Sequence, residues 1–236
     1  MSGTDKASAV VIGASGGIGA AFEAALIEEG AFAVVHGFAR SRAGAQYLDL
    51  LDETSIAAAA AYVAKGPLPT LVIVATGLLH AVGRGPEKAL RDLDPDWLAK
   101  VYAVNAIGPV LVAKHFLPIM PKSGRSVFAA LSARVGSISD NRLGGWHGYR
   151  ASKAALNMLV RNLAIEERRR NERAIVVTLH PGTVNTALSR PFQSNVRDGR
   201  LFDPERAALQ LLDVIEGLKV SDSGNLFDFE GKEIPF

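Results

Sequence analysis

The sequence predicts an α/β fold: a single-domain doubly wound parallel sheet of about seven strands, with helices on both faces. Three observations lead there. Short apolar runs alternate with helical patterns along the whole chain, and these runs are continuously apolar, as strands buried on both faces require. A glycine-rich turn joins the first run to the first helix.

The first apolar run, Ala7 to Ile12, ends at Gly13, and Ile18 to Glu29 follows with a helical pattern. Phe32 to Phe38 reads as the second strand, closed by the polar Arg40 to Arg42 segment. Gln46 to Leu50 reads as a short third strand, leading through Asp52, Glu53 and Thr54 into an alanine-rich helix. Thr70 to Ala75 is the fourth. Asp94 then caps a helix with Pro95 in its first turn, and that helix runs past Asn105 towards Met120. Ser126 to Leu131 is the fifth strand, Ala174 to Leu179 the sixth and Asn225 to Phe229 the seventh, with a long helix opening at Tyr149 between the fifth and sixth. Residues 187–202 show no periodicity and are expected to be a mobile substrate loop. There are no repeats, low-complexity tracts or linkers, so residues 1–236 are read as one domain.

Composition excludes several classes of function. The formal charge of +2 is spread along the chain, and the one dense cluster, Arg168 to Arg170, ends a helix where cations suit the dipole. No nucleic-acid partner is expected. Met1 to Ser8 is polar and the apolar run behind it is too short for a signal peptide or membrane span, so a cytoplasmic protein without a membrane partner is expected. Absence of cysteine excludes disulfides and thiolate chemistry, and no metal site is read.

Two motifs carry chemistry. In Gly13-Ala14-Ser15-Gly16-Gly17-Ile18-Gly19, missing side chains let the backbone turn sharply and approach a pyrophosphate at a helix N-terminus, which indicates a dinucleotide-binding Rossmann arrangement. Tyr149 and Lys153 lie one helical turn apart, so phenol and ammonium share a face. A nearby ammonium favours the phenolate and is expected to lower the tyrosine pKa, making the hydroxyl a usable proton donor or acceptor.

The spacing of Gly13, Gly17 and Gly19, together with Tyr149 and Lys153, resembles the short-chain dehydrogenase/reductase family, and the resemblance runs from Val10 to Phe236. It implies cofactor contacts from Ser15 and Ile18 within the turn, from Asp49 and Leu50 to the adenine, and from Gly77 through its backbone. In His180-Pro181-Gly182-Thr183-Val184-Asn185-Thr186, it implies that Pro181, Gly182, Val184 and Thr186 flank the nicotinamide. Asn105 would hold a water in a proton relay to Lys153. The tail from Ser223 to Phe236 resembles the C-factor-like group, and the segment from Ser132 to Tyr149, with Gly136-Ser137-Ile138, resembles the sniffer-type carbonyl reductases.

Cofactor choice is read from one loop. Ala39 stands where an NAD-preferring site places a carboxylate, and Arg40 and Arg42 offer guanidinium groups suited to a 2′-phosphate. NADP(H) is therefore favoured, with NAD(H) as the alternative. One departure from the family pattern affects catalysis: alignment puts Ala133, not Ser132, in the place of the family's catalytic serine, leaving Ser132 and Ser137 as candidates. The expected activity is hydride transfer between nicotinamide and a carbonyl or alcohol substrate, with Tyr149 as general acid/base. Trp146, Leu188 and Phe192 are candidates to line an apolar pocket. The alternative is a nucleotide-binding regulatory or signalling protein with weak turnover. The resemblance further implies a homodimer or homotetramer.

Overall fold

A computed structural model describes residues 6–195 and 199–236. Strand β1 (Ser8–Ile12) leads into α1 (Gly17–Glu29), followed by β2 (Val34–Phe38), α2 (Glu53–Val63) and β3 (Pro69–Val74). Then come α3 (Pro95–Tyr102), a π-helical turn (Ala103–Ile107) and α4 (Gly108–Phe116), before β4 (Ser126–Leu131), α5 (His147–Arg170) and β5 (Ala174–His180). The C-terminal part holds β6 (Thr183–Val184), β7 (Leu201–Phe202), α6 (Pro204–Gly217), β8 (Leu226–Asp228) and β9 (Glu233–Ile234).

The main sheet has seven strands in the order β2-β1-β3-β4-β5-β8-β9. Every neighbouring pair is parallel except β8 and β9, an antiparallel hairpin at the edge. Alternation along the strands divides the core. Val10, Val72, Phe128 and Val176 face α2, α4 and α5 through Ile56, Phe116 and Leu156, whereas Val11, Ile73, Val127 and Val177 face α1 and α6 through Phe22 and Leu211. Each such fully buried large side chain contributes about 1.5–3 kcal/mol. Both faces being covered explains why the strands read as continuous apolar runs.

The expected strand at Gln46 to Leu50 is absent. Gly44–Gln46 forms a 3-10 turn, and the segment touches β2's end only at the isolated bridge between Ala39 and Tyr47. Leu48 and Leu50 are instead buried plugs in the α2/α4 layer, which accounts for their apolar character without a ladder. The seventh strand of the sheet is β9, formed by the last residues. The segment 187–202 contains a 3-10 stretch (Arg190–Asn195) and the strand β7 paired with β6, while 196–198 lie outside the described residues, as do residues 1–5 of the N-terminal reading.

The helical run Pro95–Ile119 is long and apolar enough to cross a membrane, at 25 residues with an 18-residue window of mean hydropathy 1.2. Here it lies on the sheet, with Val112, Ala113 and Phe116 in the core. The carboxyl ends of β1, β3, β4 and β5 converge, as a doubly wound sheet requires of its ligand edge.

Candidate active site

Two cavities meet at that edge. The first, about 410 Å³, is walled by the glycine turn (Gly13, Ser15, Gly16), by Arg40 and Ser41, by Leu48 to Leu51, and by Ala75 to Leu78. The second, about 360 Å³, continues past Gly17 and Ile18 to Ser132, Ala133, Trp146, Tyr149, Lys153, the run from His180 to Val184, and Thr186. Gly16, Ala75, Thr76 and Gly77 border both. The pair therefore forms one elongated cleft, suited in shape to a dinucleotide with a substrate at one end.

The glycine turn is dictated by close approach. Gly13 has φ +89, and a Cβ there would lie 2.9 Å from the Ala75 carbonyl oxygen; a Cβ on Gly19 would lie 2.1 Å from the Gly13 oxygen. Gly17 faces the Thr186 methyl, which a Cβ would meet at 2.8 Å. Helix α1 begins at Gly17 with Gly16 as its cap and no side chain satisfying its first amides, so these N–H groups are open to an anion. The Thr76 hydroxyl, at the junction of the cavities, is buried with no partner among the described residues. An orphaned donor beside bare helix amides fits a phosphate-linked sugar.

Of the two arginines in the expected fork, only Arg40 borders the cleft. Arg42 turns back: its guanidinium donates to Glu23 at 2.8 and 2.5 Å and to the Gly37 carbonyl at 2.7 Å. Glu23 lies on α1, a partner that no local pattern around Arg42 announces. Asp49 and Leu50 border the first cavity even though no strand carries them there.

Tyr149 and Lys153 are both buried, at 8% and 2% exposure. The Lys153 Nζ lies 5.9 Å from the centre of the Tyr149 ring and donates to the Leu131 carbonyl at 2.7 Å. Desolvation dominates both groups: it pushes the phenol up to about 12 and the ammonium down to about 7. This corrects the expectation that the lysine would lower the tyrosine pKa, because removal from water outweighs a cation that is itself partly neutralised by burial. His180, on the same cavity wall, is pushed down to about 4 by burial despite Asp228 nearby, so its ring is neutral, and its Nδ1 has no partner among the described residues.

Asn105 is fully buried in the π-helical turn. Its Oδ1 accepts from the Leu78 N–H at 2.7 Å, while its Nδ2 donates to the Leu78 carbonyl at 2.8 Å and to the Ser152 hydroxyl at 3.1 Å. The side chain thus braces the cleft floor against the helix of Tyr149. Both of its amide hydrogens are engaged, while its Oδ1 keeps a second lone pair that could accept from a relay water. A π turn at such a point is a common mark of a functional site.

Of the two candidate serines, Ser132 borders the cavity of Tyr149 and Ser137 does not. The Ser132 hydroxyl donates to Asn157 Oδ1 at 2.7 Å, beneath α5. Strand alternation explains it, since Ser132 takes the face opposite Leu131 and only the next residue, Ala133, packs against Tyr149 and Leu79. Ser137 is buried and its hydroxyl donates to the Pro235 carbonyl, outside the cleft. The remaining cavity wall is apolar and aromatic. Trp146 packs against Tyr149 and Phe192 at centroid distances of 6.3 and 5.0 Å, and Leu188 and Val135 join them.

This arrangement has relatives. The profile of the short chain dehydrogenase family matches residues 7–197. The chain belongs to that family. Among curated short chain dehydrogenase relatives, the C-signal protein of Myxococcus xanthus is 37% identical over 148 residues, 63% of this chain and 84% of that protein. Among solved structures, an NADPH-bound carbonyl reductase from chicken fatty liver is 27% identical with a TM-score of 0.83, covering 100% of this chain and 96% of that one. The carbonyl reductase Sniffer of D. melanogaster, 20% identical, shares the fold with a TM-score of 0.78 over 98% of this chain and 99% of its own. Within this short chain dehydrogenase, sequence reasoning passed over Thr76 and the His180 ring as site residues. Their position at a strand end was the available signal, while their unpartnered atoms emerge only from packing.

Proposed function

We propose that the protein is an NADP(H)-dependent carbonyl reductase, with Tyr149 as proton donor and Lys153 as its electrostatic partner. The observation that carries this reading is a buried phenol, one helical turn from a buried lysine, in an apolar cavity that opens directly onto the glycine-rich cleft. Gly13, Gly16 and Gly17 border the cleft and would hold the pyrophosphate through their backbone, Gly19 lets the turn close on Gly13 behind them, Arg40 would meet the ribose end, and Pro181, Gly182, Val184 and Thr186 would flank the nicotinamide. The dinucleotide, when bound, supplies a hydride to the substrate's carbonyl carbon. Tyr149 gives its phenolic proton to the alkoxide oxygen that forms. A phenol with pKa about 12 is protonated at neutral pH, which suits reduction; alcohol oxidation would need the scarce phenolate. Lys153, when protonated, stabilises the phenolate left behind. Leu79, Trp146, Leu188 and Phe192 exclude water from the reacting carbonyl. The substrate is a small carbonyl compound, and the corresponding alcohol its product.

NADPH oxidation followed by absorbance across a panel of carbonyls tests this, with Tyr149→Phe expected to lose at least 10²-fold in kcat while binding NADPH normally. Wild-type turnover by that variant would sink the assignment. A second reading, a nucleotide-binding signalling protein with weak turnover, draws on the C-signal relative and on Ala133 beside Tyr149. NADPH binding without turnover on any carbonyl would favour it. We further propose a cytoplasmic homodimer or homotetramer, supported by exposed Ile107, Met158 and Ile165 on the helices that follow and contain the site residues. Sedimentation measures the assembly directly.

A further inference from the structure

We propose that Glu87 is a positioning residue for the proton donor, acting as a remote cap that holds the start of α5, and with it Trp146 and Tyr149, against the cavity. This rests on the reading of Tyr149 as the donor. Helix α5 has no side-chain cap of its own: its N-cap is Trp146, which makes no capping bond. Trp146 has φ 50 and is the one non-glycine residue with positive φ among the described residues. A bulky side chain adopts that conformation only where its surroundings over-determine it.

Glu87, 61 residues before Gly148, supplies both restraints. Its carbonyl oxygen accepts the Trp146 N–H at 2.5 Å, and its carboxylate Oε2 accepts the Gly148 N–H at 3.1 Å. A carboxylate also suits the positive end of the helix dipole. The fit is close. Gly148 has no side chain to spare, since a Cβ there would lie 2.9 Å from Glu87 Oε1 and 2.9 Å from Leu98 Cδ2. Glu87 is 3% exposed, and its Oε1 has no partner among the described residues. A buried carboxylate with one oxygen left unpaired is costly, and its single side-chain bond goes to the residue immediately before Tyr149.

Position along the helix makes the role selective. Tyr149 is the third residue of α5, within the first turn that frays when a cap is lost, whereas Lys153 lies a turn further in and is tied to Leu131. The glycine turn and Arg40 belong to other elements. Removing the Glu87 side chain leaves the carbonyl that holds the Trp146 N–H but frees Gly148, and would therefore loosen the first turn and uncouple the phenol from Lys153 without touching the dinucleotide cradle. Small displacements of a reacting group carry large rate costs.

The test compares Glu87→Ala with Glu87→Gln in the full chain, by amide hydrogen exchange and by NADPH-dependent carbonyl reduction. Glu87→Ala is expected to speed exchange at residues 146–150 while 153–170 stay protected, and to lower kcat at least tenfold at unchanged NADPH Kd. Glu87→Gln keeps an oxygen acceptor for Gly148 and is expected to restore both to within threefold. Unchanged exchange at 146–150 in Glu87→Ala, loss of protection along all of α5, or equal defects in the two variants would overturn the proposal. If Tyr149→Phe proved fully active, the donor reading would fall, and the exchange arm would still decide whether Glu87 holds the helix start.

Discussion

Replacing Lys153 with methionine separates what the buried ammonium does for the reaction from what it does to the fold. Its Nζ lies 5.9 Å from the centre of the Tyr149 ring. With an effective dielectric of about 20, a unit charge at that distance stabilises a phenolate by about 3 kcal/mol, or roughly 10² in rate if the full charge develops. Lys153→Met is therefore expected to lower kcat by about 10² at saturating NADPH. In the wild type, the ammonium is lost as pH rises through about 7, so kcat for reduction falls above that point, and the variant's profile is flat there. Stability moves the other way. A lysine whose folded pKa is lowered from 10.5 to about 7 penalises folding fully below pH 7, and the penalty is relieved as pH rises towards 10.5. That difference is worth at most about 5 kcal/mol, offset in the variant by the unpaired Leu131 carbonyl at about 1–3 kcal/mol. Steady-state kinetics from pH 6 to 9 and urea unfolding at pH 7 and 10 measure both sides. A variant within threefold of wild-type kcat, or one less stable at pH 7 than its parent, would refute the reasoning.

Two further perturbations address the cleft. Ala133 packs directly against Tyr149, so Ala133→Ser places a hydroxyl beside the phenol and should raise kcat by up to about 10²; no change would show that a second donor does not limit turnover. Ser132→Ala is the control, losing about 1 kcal/mol of stability through its Asn157 bond with kcat within threefold. Arg40→Ala should weaken NADPH binding about tenfold and leave NADH unchanged, read by fluorescence titration, and equal losses for both would remove Arg40 from phosphate recognition.

The legible parts of this protein are those whose geometry is local. Gly13, Gly17 and Gly19 sit within one turn, and Tyr149 and Lys153 within one helical turn, so chain spacing alone brings each set together. Continuous apolarity in Val10 to Ile12 or Val127 to Leu131 reveals strands covered on both faces for the same reason. The reading failed where an apolar residue had two uses: Leu48 and Leu50 look like a strand and are plugs beneath α2 and α4. It failed again at Arg42, whose carboxylate partner lies on α1.

The sequence by itself indicated the alternation of strands and helices, the glycine-rich turn and the pairing of Tyr149 with Lys153, because short-range stereochemistry governs them. The tertiary structure decided the burial of Tyr149, Arg40 as the guanidinium at the cleft, the diversion of Ser132 to Asn157, and the bonds that join the start of α5 to Glu87. Each of these depends on burial or on a hydrogen-bond partner far away in the chain. Desolvation and long-range pairing arise only when distant segments pack, so no pattern of neighbouring residues encodes them.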